Sequence, residues 1–329
     1  MGIPIVLLFL ASSDTFEPLF SVPQGFPKPV YDFTKNPLTI EKVELGRRLF
    51  YEPLLSRDGT ISCASCHLSY TGFTHIDHSL SHGIDNRIGT RNSLALVNLA
   101  WNKTFMWDGA VNHLDMQALA PLSSRDEMDE NMAHVVQKLQ QSNRYPRFFQ
   151  QAFGDSSVTG ERILKVISQF MLTLVSANAK YDKVMRNEAS FNEYEAKGYE
   201  LFKKHCASCH TEPLFTHSGF ENNGLKPDSI LNDKGRMTIT GRKEDSLLFK
   251  VPTLRNIEVT YPYMHDGRLP NLQMVLYHYT EGVYQSSTLA KQLRLKMPLS
   301  EEDKVNIIAF LHTLTDETFL RNPKFQYLR

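Results

Sequence analysis

The sequence predicts a mainly α fold built from two like domains, and three observations predict it. Apolar residues recur at helical spacing in most patterned segments. Sustained period-two alternation between hairpin turns is hard to find. A helical pattern running into Cys-x-x-Cys-His occurs twice, at Cys63 and at Cys206, 143 positions apart (206 − 63).

Taken in order, Ile3 to Ala11 (IPIVLLFLA) is too short to span a bilayer and is followed by Ser12 and Ser13, which resembles the apolar core of an export signal without its basic start. The Pro-rich run from Pro18 to Pro37 reads as extended, because proline lacks an N–H donor and disfavours helix in the residue before it. Residues 1–27 are therefore assigned to an export-signal-like stretch and lead-in. From Thr39 to Leu54, Ile40, Val43, Leu49 and Phe50 form one stripe with Gly46 in line, and Ser56-Arg57-Asp58-Gly59 supplies a turn before the first cysteine pair. Helical patterns follow over Asp115 to Leu122, Met132 to Ser142, Arg162 to Arg186, Glu193 to His205, Leu272 to Tyr279 and Glu301 to Leu314. The long fourth pattern in the chain gives way near Asn187 to Phe191, which sets one domain at 28–187 and another at 188–329, the last helix being able to pack back on the first domain. The stretches 125–131 and 221–244 are polar and read as functional loops.

A chain of 329 residues can bury two cores. Lys plus Arg and Asp plus Glu are equal at 36 each, without long single-sign blocks, so nucleic acid is not an expected partner. All 4 cysteines belong to the two motifs, which leaves none for a disulfide framework. In Cys-x-x-Cys-His, two sulfurs form thioethers with the vinyl groups of a porphyrin while the adjacent imidazole reaches its iron. Cys63, Cys66 and His67, and Cys206, Cys209 and His210, thus predict two covalently bound haem c groups. Zinc is the rival reading, but it would join pairs distant in sequence and give His67 and His210 no role. A thioredoxin-like reading lacks the βαβ pattern. The fold expected is two cytochrome c-like haem domains packed together.

Around these motifs the chain resembles the bacterial di-haem cytochrome c peroxidase family, including its MauG-like branch. The resemblance runs from about Leu45 to Asp316 and rests on LSRDGTISCASCH, GTRNSLALVNLAW, FMWDGAVNHLDMQALAPL, FKVPTLRNIEVTYPYMHDGR and LSEEDKVNIIAFLHTLTD. It implies a peroxidatic first haem on His67 and an electron-transfer haem on His210. It implies a distal Gln and Glu ten residues apart, matched by Gln117 and Glu127, with Glu127 as acid/base. By residue type alone, Glu127 is one of several loop acids in SSRDEMDE. Trp107 matches a tryptophan between the haems, although a core aromatic is the commoner fate of that residue. Pro121 matches a distal-pocket proline. Asn92, Thr260 and Pro262 match residues that bind one Ca2+, the last two through backbone carbonyls and with water completing the shell.

Two positions bear on the subtype. Tyr279, in HYTEG, stands where peroxidases place the methionine ligand of the second haem and where MauG-like members have tyrosine; Met264, Met274 and Met297 are the fallback ligands. His82, in SLSHG, sits near the removable histidine that caps the first haem in many peroxidases, with His75 and His78 close by. The expected function is a periplasmic, exported di-haem peroxidase that reduces hydrogen peroxide to water with electrons from a small cytochrome c or cupredoxin. The alternatives are a MauG-like oxidase modifying Tyr or Trp of a partner protein, and a di-haem electron carrier. The resemblance also admits a homodimer.

Overall fold

In a computed structural model, residues 18–327 are described; the export-signal-like stretch lies outside them. Four helices carry the architecture: α1 (Ile40–Phe50), α2 (Gly160–Leu172), α3 (Glu193–His205) and α4 (Glu301–His312). Each begins at a side-chain cap. Thr39 accepts from the Lys42 N–H and Thr159 from that of Arg162, while Asn192 with Glu195 and Ser300 with Asp303 form capping boxes.

The two halves use one packing device. α1 crosses α2 at Gly46, where an added Cβ would stand 1.8 Å from the Val166 carbonyl oxygen. α3 crosses α4 at Gly198, where a Cβ would stand 1.9 Å from that of Asn306. Only a residue without a side chain lets the backbones approach so closely. Four residues after each glycine comes a fully buried phenylalanine: Phe50 packs 5.2 Å from Phe170, and Phe202 packs 5.0 Å from Phe310. Burying each ring stabilises its half by roughly 1.5–3 kcal/mol.

The repeat extends past the helices. Asn98 and Asn256 both adopt positive φ, and both act as side-chain clamps: Asn98 Oδ1 accepts from Ser176 N–H (2.9 Å), and Asn256 Oδ1 from Asp316 N–H (2.8 Å). Met106-Trp107-Asp108-Gly109 and Met264-His265-Asp266-Gly267 form matching turns, with positive φ at both methionines and both glycines. Trp107 and His265 therefore hold equivalent places in the two halves.

Between the halves, Asn92 N–H donates to His265 O and Lys250 N–H to Trp107 O, each at 2.7 Å. Arg91 adds a half-buried clamp, bonding Asp108 at 2.6 Å and Asp233 at 2.7 Å. Two-residue strands, β1 (Phe220–Glu221) and β2 (Phe249–Lys250), pair antiparallel beside this seam. The end of the chain returns to the first half: Phe319, Leu320 and Phe325 join its core, and Tyr51 Oη donates to Phe325 O at 2.7 Å. The Pro-rich lead-in forms no helix, but it is not extended throughout, because turns interrupt it at 24–25 and 33–35; it is tied down at Pro27, whose carbonyl accepts from the Trp101 indole at 2.7 Å.

Several helical expectations need correction. The pattern over Arg162 to Arg186 is not one helix; it stops at Leu172 and resumes over Lys180–Met185. The intervening N–H groups of Ser176, Ala177 and Asn178 are taken by Asn98 and Asp316, which outcompete the helical bonds. Asp115 to Leu122 divides into Leu114–Gln117 and Leu119–Ser123. A helix over Tyr145–Phe153, with Tyr145 and Phe149 buried, had no counterpart in the sequence reading. Among the described residues no helix is long and apolar enough to cross a membrane.

Candidate haem sites

Two cavities, of about 310 and 180 Å3, lie one in each half. The first is lined by Cys63, Cys66 and His67, and by Gln117, Pro121, Glu127 and His82. The second is lined by Cys206, Cys209 and His210, and by Tyr279, Met264 and Met297. Trp107 and Lys250 line both.

The residues fit haem c. In each half a short turn presents two thiols that form no disulfide. His67 Nδ1 lies 2.7 Å from Phe73 O, and His210 Nδ1 lies 3.1 Å from Phe215 O. A carbonyl can only accept, so Nδ1 carries the proton and Nε2 keeps its lone pair for a metal. Burial pulls both imidazoles down to about 4, so they stay neutral ligands at physiological pH. Burial likewise pushes Cys63 up to about 12 and Cys66 to about 11, surroundings that suit an uncharged thioether better than a zinc thiolate. The two cysteine pairs line different cavities and so cannot share one zinc. Among the described residues the sole three-ligand group, Cys209 with His217 and Glu221, draws on one motif cysteine only.

On the wall of the first cavity, Glu127 is held from two directions. Its N–H donates to Ser124 O at 3.1 Å, and its carbonyl accepts from Ile84 N–H at 2.9 Å. A Cβ on Gly83 would stand 2.2 Å from Asp126 O and 2.5 Å from Glu127 O, so the His82 segment is seated directly on the Glu127 loop. Arg87 closes the loop from outside, bonding Arg125 O at 2.6 Å and Asp129 at 2.9 Å. Burial raises the Glu127 carboxyl above the ordinary glutamate range. Among the described residues the Gln117 amide makes only a 3.9 Å contact with Met106 Sδ, and the side chain lines the cavity. The His82 ring packs at a tilt, 4.1 Å from that of His78, which in turn stacks at 5.1 Å on that of His75.

In the second cavity, Tyr279 sits in a π-type turn over His278–Gly282, a distortion frequent at functional sites. Burial pushes its phenol up to about 12, opposed by a hydrogen bond with Asn223. The Asn223 amide also donates to Met264 Sδ at 3.0 Å, so one residue touches both of the oxygen and sulfur candidates. Met274 is 42% exposed and lines neither cavity, which removes it as a fallback ligand.

At the seam, Asn92 is buried and its Nδ2 donates to Ser79 O at 2.9 Å, which leaves Oδ1 available. Thr260 packs its methyl at 3.0 Å from the position a Gly72 Cβ would take, and Pro262 follows on the same segment as His265. Sequence reasoning missed Asn223, Lys250 and His265. The Met-x-Asp-Gly repeat was the available signal for His265, because it aligns that residue with Trp107.

Two cytochrome c-like sites meeting at a shared wall define a di-haem c-type cytochrome. A family model described as di-haem cytochrome c peroxidase matches residues 40–190, and one described as cytochrome c matches 195–315. The methylamine utilization protein MauG of Methylorubrum extorquens is 35% identical over 91% of this chain and 84% of its own length. The cytochrome c551 peroxidase of Nitrosomonas europaea is 35% identical over 86% and 82%. Among solved structures, a MauG-like protein associated with microbial copper homeostasis superposes with a TM-score of 0.85 at 32% identity, covering 93% of this chain and 98% of that one. The chain belongs to the di-haem cytochrome c peroxidase family, a family of oxidoreductases that includes MauG and carries two c-type haems.

Proposed function

We propose that the chain reduces hydrogen peroxide to water in the first cavity, using electrons delivered at the second by a small cytochrome c or cupredoxin. The observation that carries this reading is Glu127, a carboxyl raised by burial and fixed on the wall of the cavity that contains His67. Cys63, Cys66 and His67 would hold one haem; Cys206, Cys209, His210 and Tyr279 would hold the other. When bound, haem would supply the redox-active iron that peroxide reduction requires. As carboxylate, Glu127 accepts the proton of the inner oxygen and returns it to the outer one, which can then leave as water. Two electrons and two protons convert one peroxide into two waters. The Gln117 amide orients the peroxide, and Pro121, without an N–H, adds no competing donor to that wall. Trp107, in both cavity walls, links them for electrons.

His82 is proposed as the histidine that must leave the first site before peroxide enters. Asn92 Oδ1, with the carbonyls of Thr260 and Pro262 and water, is proposed to bind Ca2+, a hard cation that prefers oxygen. A periplasmic setting is supported by the apolar stretch Ile3 to Ala11, and the two haem domains are assigned to 28–187 and 188–329.

The test is steady-state turnover with peroxide and a reduced small cytochrome c. Two donors oxidised per peroxide is expected, and absence of turnover overturns the reading. Tyr279 favours a second reading, because an anionic phenolate stabilises oxidised iron. A MauG-like oxidase would instead hydroxylate or cross-link Tyr or Trp of a partner protein in a peroxide-dependent manner, without donor turnover.

A further inference from the structure

The wall between the two cavities contains one cation with no anion. Lys250 lies on β2, is 5% exposed, and lines both cavities. Among the described residues its Nζ forms no ion pair, and its one hydrogen bond, to Asn102 Oδ1, is long at 3.4 Å. Arg91, the other basic side chain on the first cavity, is already paired with Asp108 and Asp233. Burial without a countercharge pulls the Lys250 ammonium down to about 8. A buried, unpaired ammonium is costly unless something in its final surroundings compensates it.

Haem c brings the compensation. Its vinyl groups are consumed by the cysteines, and its two propionates project from the opposite edge of the macrocycle, away from the thioethers. Both cavities have their cysteine pairs on walls of their own and share only the wall of Trp107, Lys250 and Pro252, of which Lys250 alone is charged. The equivalent position in the first half is Asn92, which makes the matching backbone bond to His265 but carries no charge. The cation is therefore a feature of one side of the seam, not a product of the repeat.

We propose that Lys250 is the counter-ion of haem propionate at the shared wall, so that its ammonium anchors a carboxylate edge beside Trp107 and sets the potential of the haem it pairs with. The inference rests on the two haem sites and is independent of which oxidation the protein performs. A cation close to a haem favours the reduced iron, so its removal favours the ferric state.

The experiment is potentiometric titration, without peroxide, of the purified protein carrying two haems, alongside Lys250→Met, Lys250→Arg and Asn102→Asp. Lys250→Met is expected to lower the midpoint of at least one haem, raising its ferric-to-ferrous ratio at a fixed poise several-fold, while Lys250→Arg stays near the parent. Asn102→Asp supplies a competing carboxylate and is expected to lower the same midpoint, which keeps the test available if Lys250→Met does not assemble. Unchanged midpoints in these neutralising variants would overturn the proposal. Peroxide turnover plays no part in the readout, so failure here and failure of the peroxidase reading are separate results.

Discussion

The backbone N–H of Lys250 donates to the carbonyl of Trp107 at 2.7 Å. This bond fastens the second half directly to the residue placed between the two cavities, and its counterpart from Asn92 to His265 makes the seam nearly symmetric. Trp107 is held a second time through its side chain, since Nε1 donates to Asn92 O at 2.8 Å.

Replacing Trp107 by Phe removes that donor and leaves a buried carbonyl unpaired, at a cost of about 1–3 kcal/mol. Rapid mixing with peroxide should still produce the first spectral change at the first haem. Donor-dependent turnover should fall, because electrons from the second haem lose their aromatic link. Equal turnover in Trp107→Phe and parent would remove Trp107 from the path.

Glu127→Gln keeps the shape of the side chain and deletes its base. The peroxide reaction should slow by about 10²–10⁴-fold, with both haems still attached. The base acts only when deprotonated, and burial raises its pKa. The rate in the parent should therefore climb as pH rises through a midpoint above the ordinary glutamate range, and the profile of the variant should be flat there. A variant that keeps the parent's pH profile would exclude Glu127 as the base.

Gly83→Ala places a methyl against the carbonyls of Asp126 and Glu127. Overpacking of this kind costs roughly 1–3 kcal/mol, measurable by denaturant unfolding. Peroxide reactivity should drop as well, because relief of the clash displaces the Glu127 loop. Parent-like stability together with a parent-like rate would mean that the two segments are not coupled.

Gly46→Ala and Gly198→Ala test the helix crossings. Each Cβ meets backbone that cannot turn aside, so each substitution should destabilise its half by about 1–3 kcal/mol or more. Thermal melts followed at haem absorbance should show the loss. An alanine tolerated at either site would contradict the close approach of that helix pair.

Tyr279→Phe removes the phenol oxygen from the second cavity. The electron paramagnetic resonance signal of the second ferric haem should change, while the peroxide reaction at the first haem keeps its rate. An unaltered second-haem signal would assign the sixth ligand elsewhere, with Met264 next in line through its contact with Asn223.

The sequence alone determined the features that depend on neighbouring residues. Cys63-Cys66-His67 and Cys206-Cys209-His210 were legible because haem attachment needs two thiols and an imidazole within five consecutive positions. α1, α3 and α4 were legible because an amphipathic helix writes its own period and caps into the chain. What the tertiary structure decided lies in bonds between residues far apart in sequence. The long helical pattern breaks after Leu172 because Asn98 and Asp316 claim its backbone, and neither leaves a local mark there. Met274 faces outward from its helix, while Tyr279, in the π-type turn that follows, lines the cavity. The shared wall of Trp107 and Lys250 exists only where two halves meet, and a contact spanning more than a hundred residues has no period for a sequence to display.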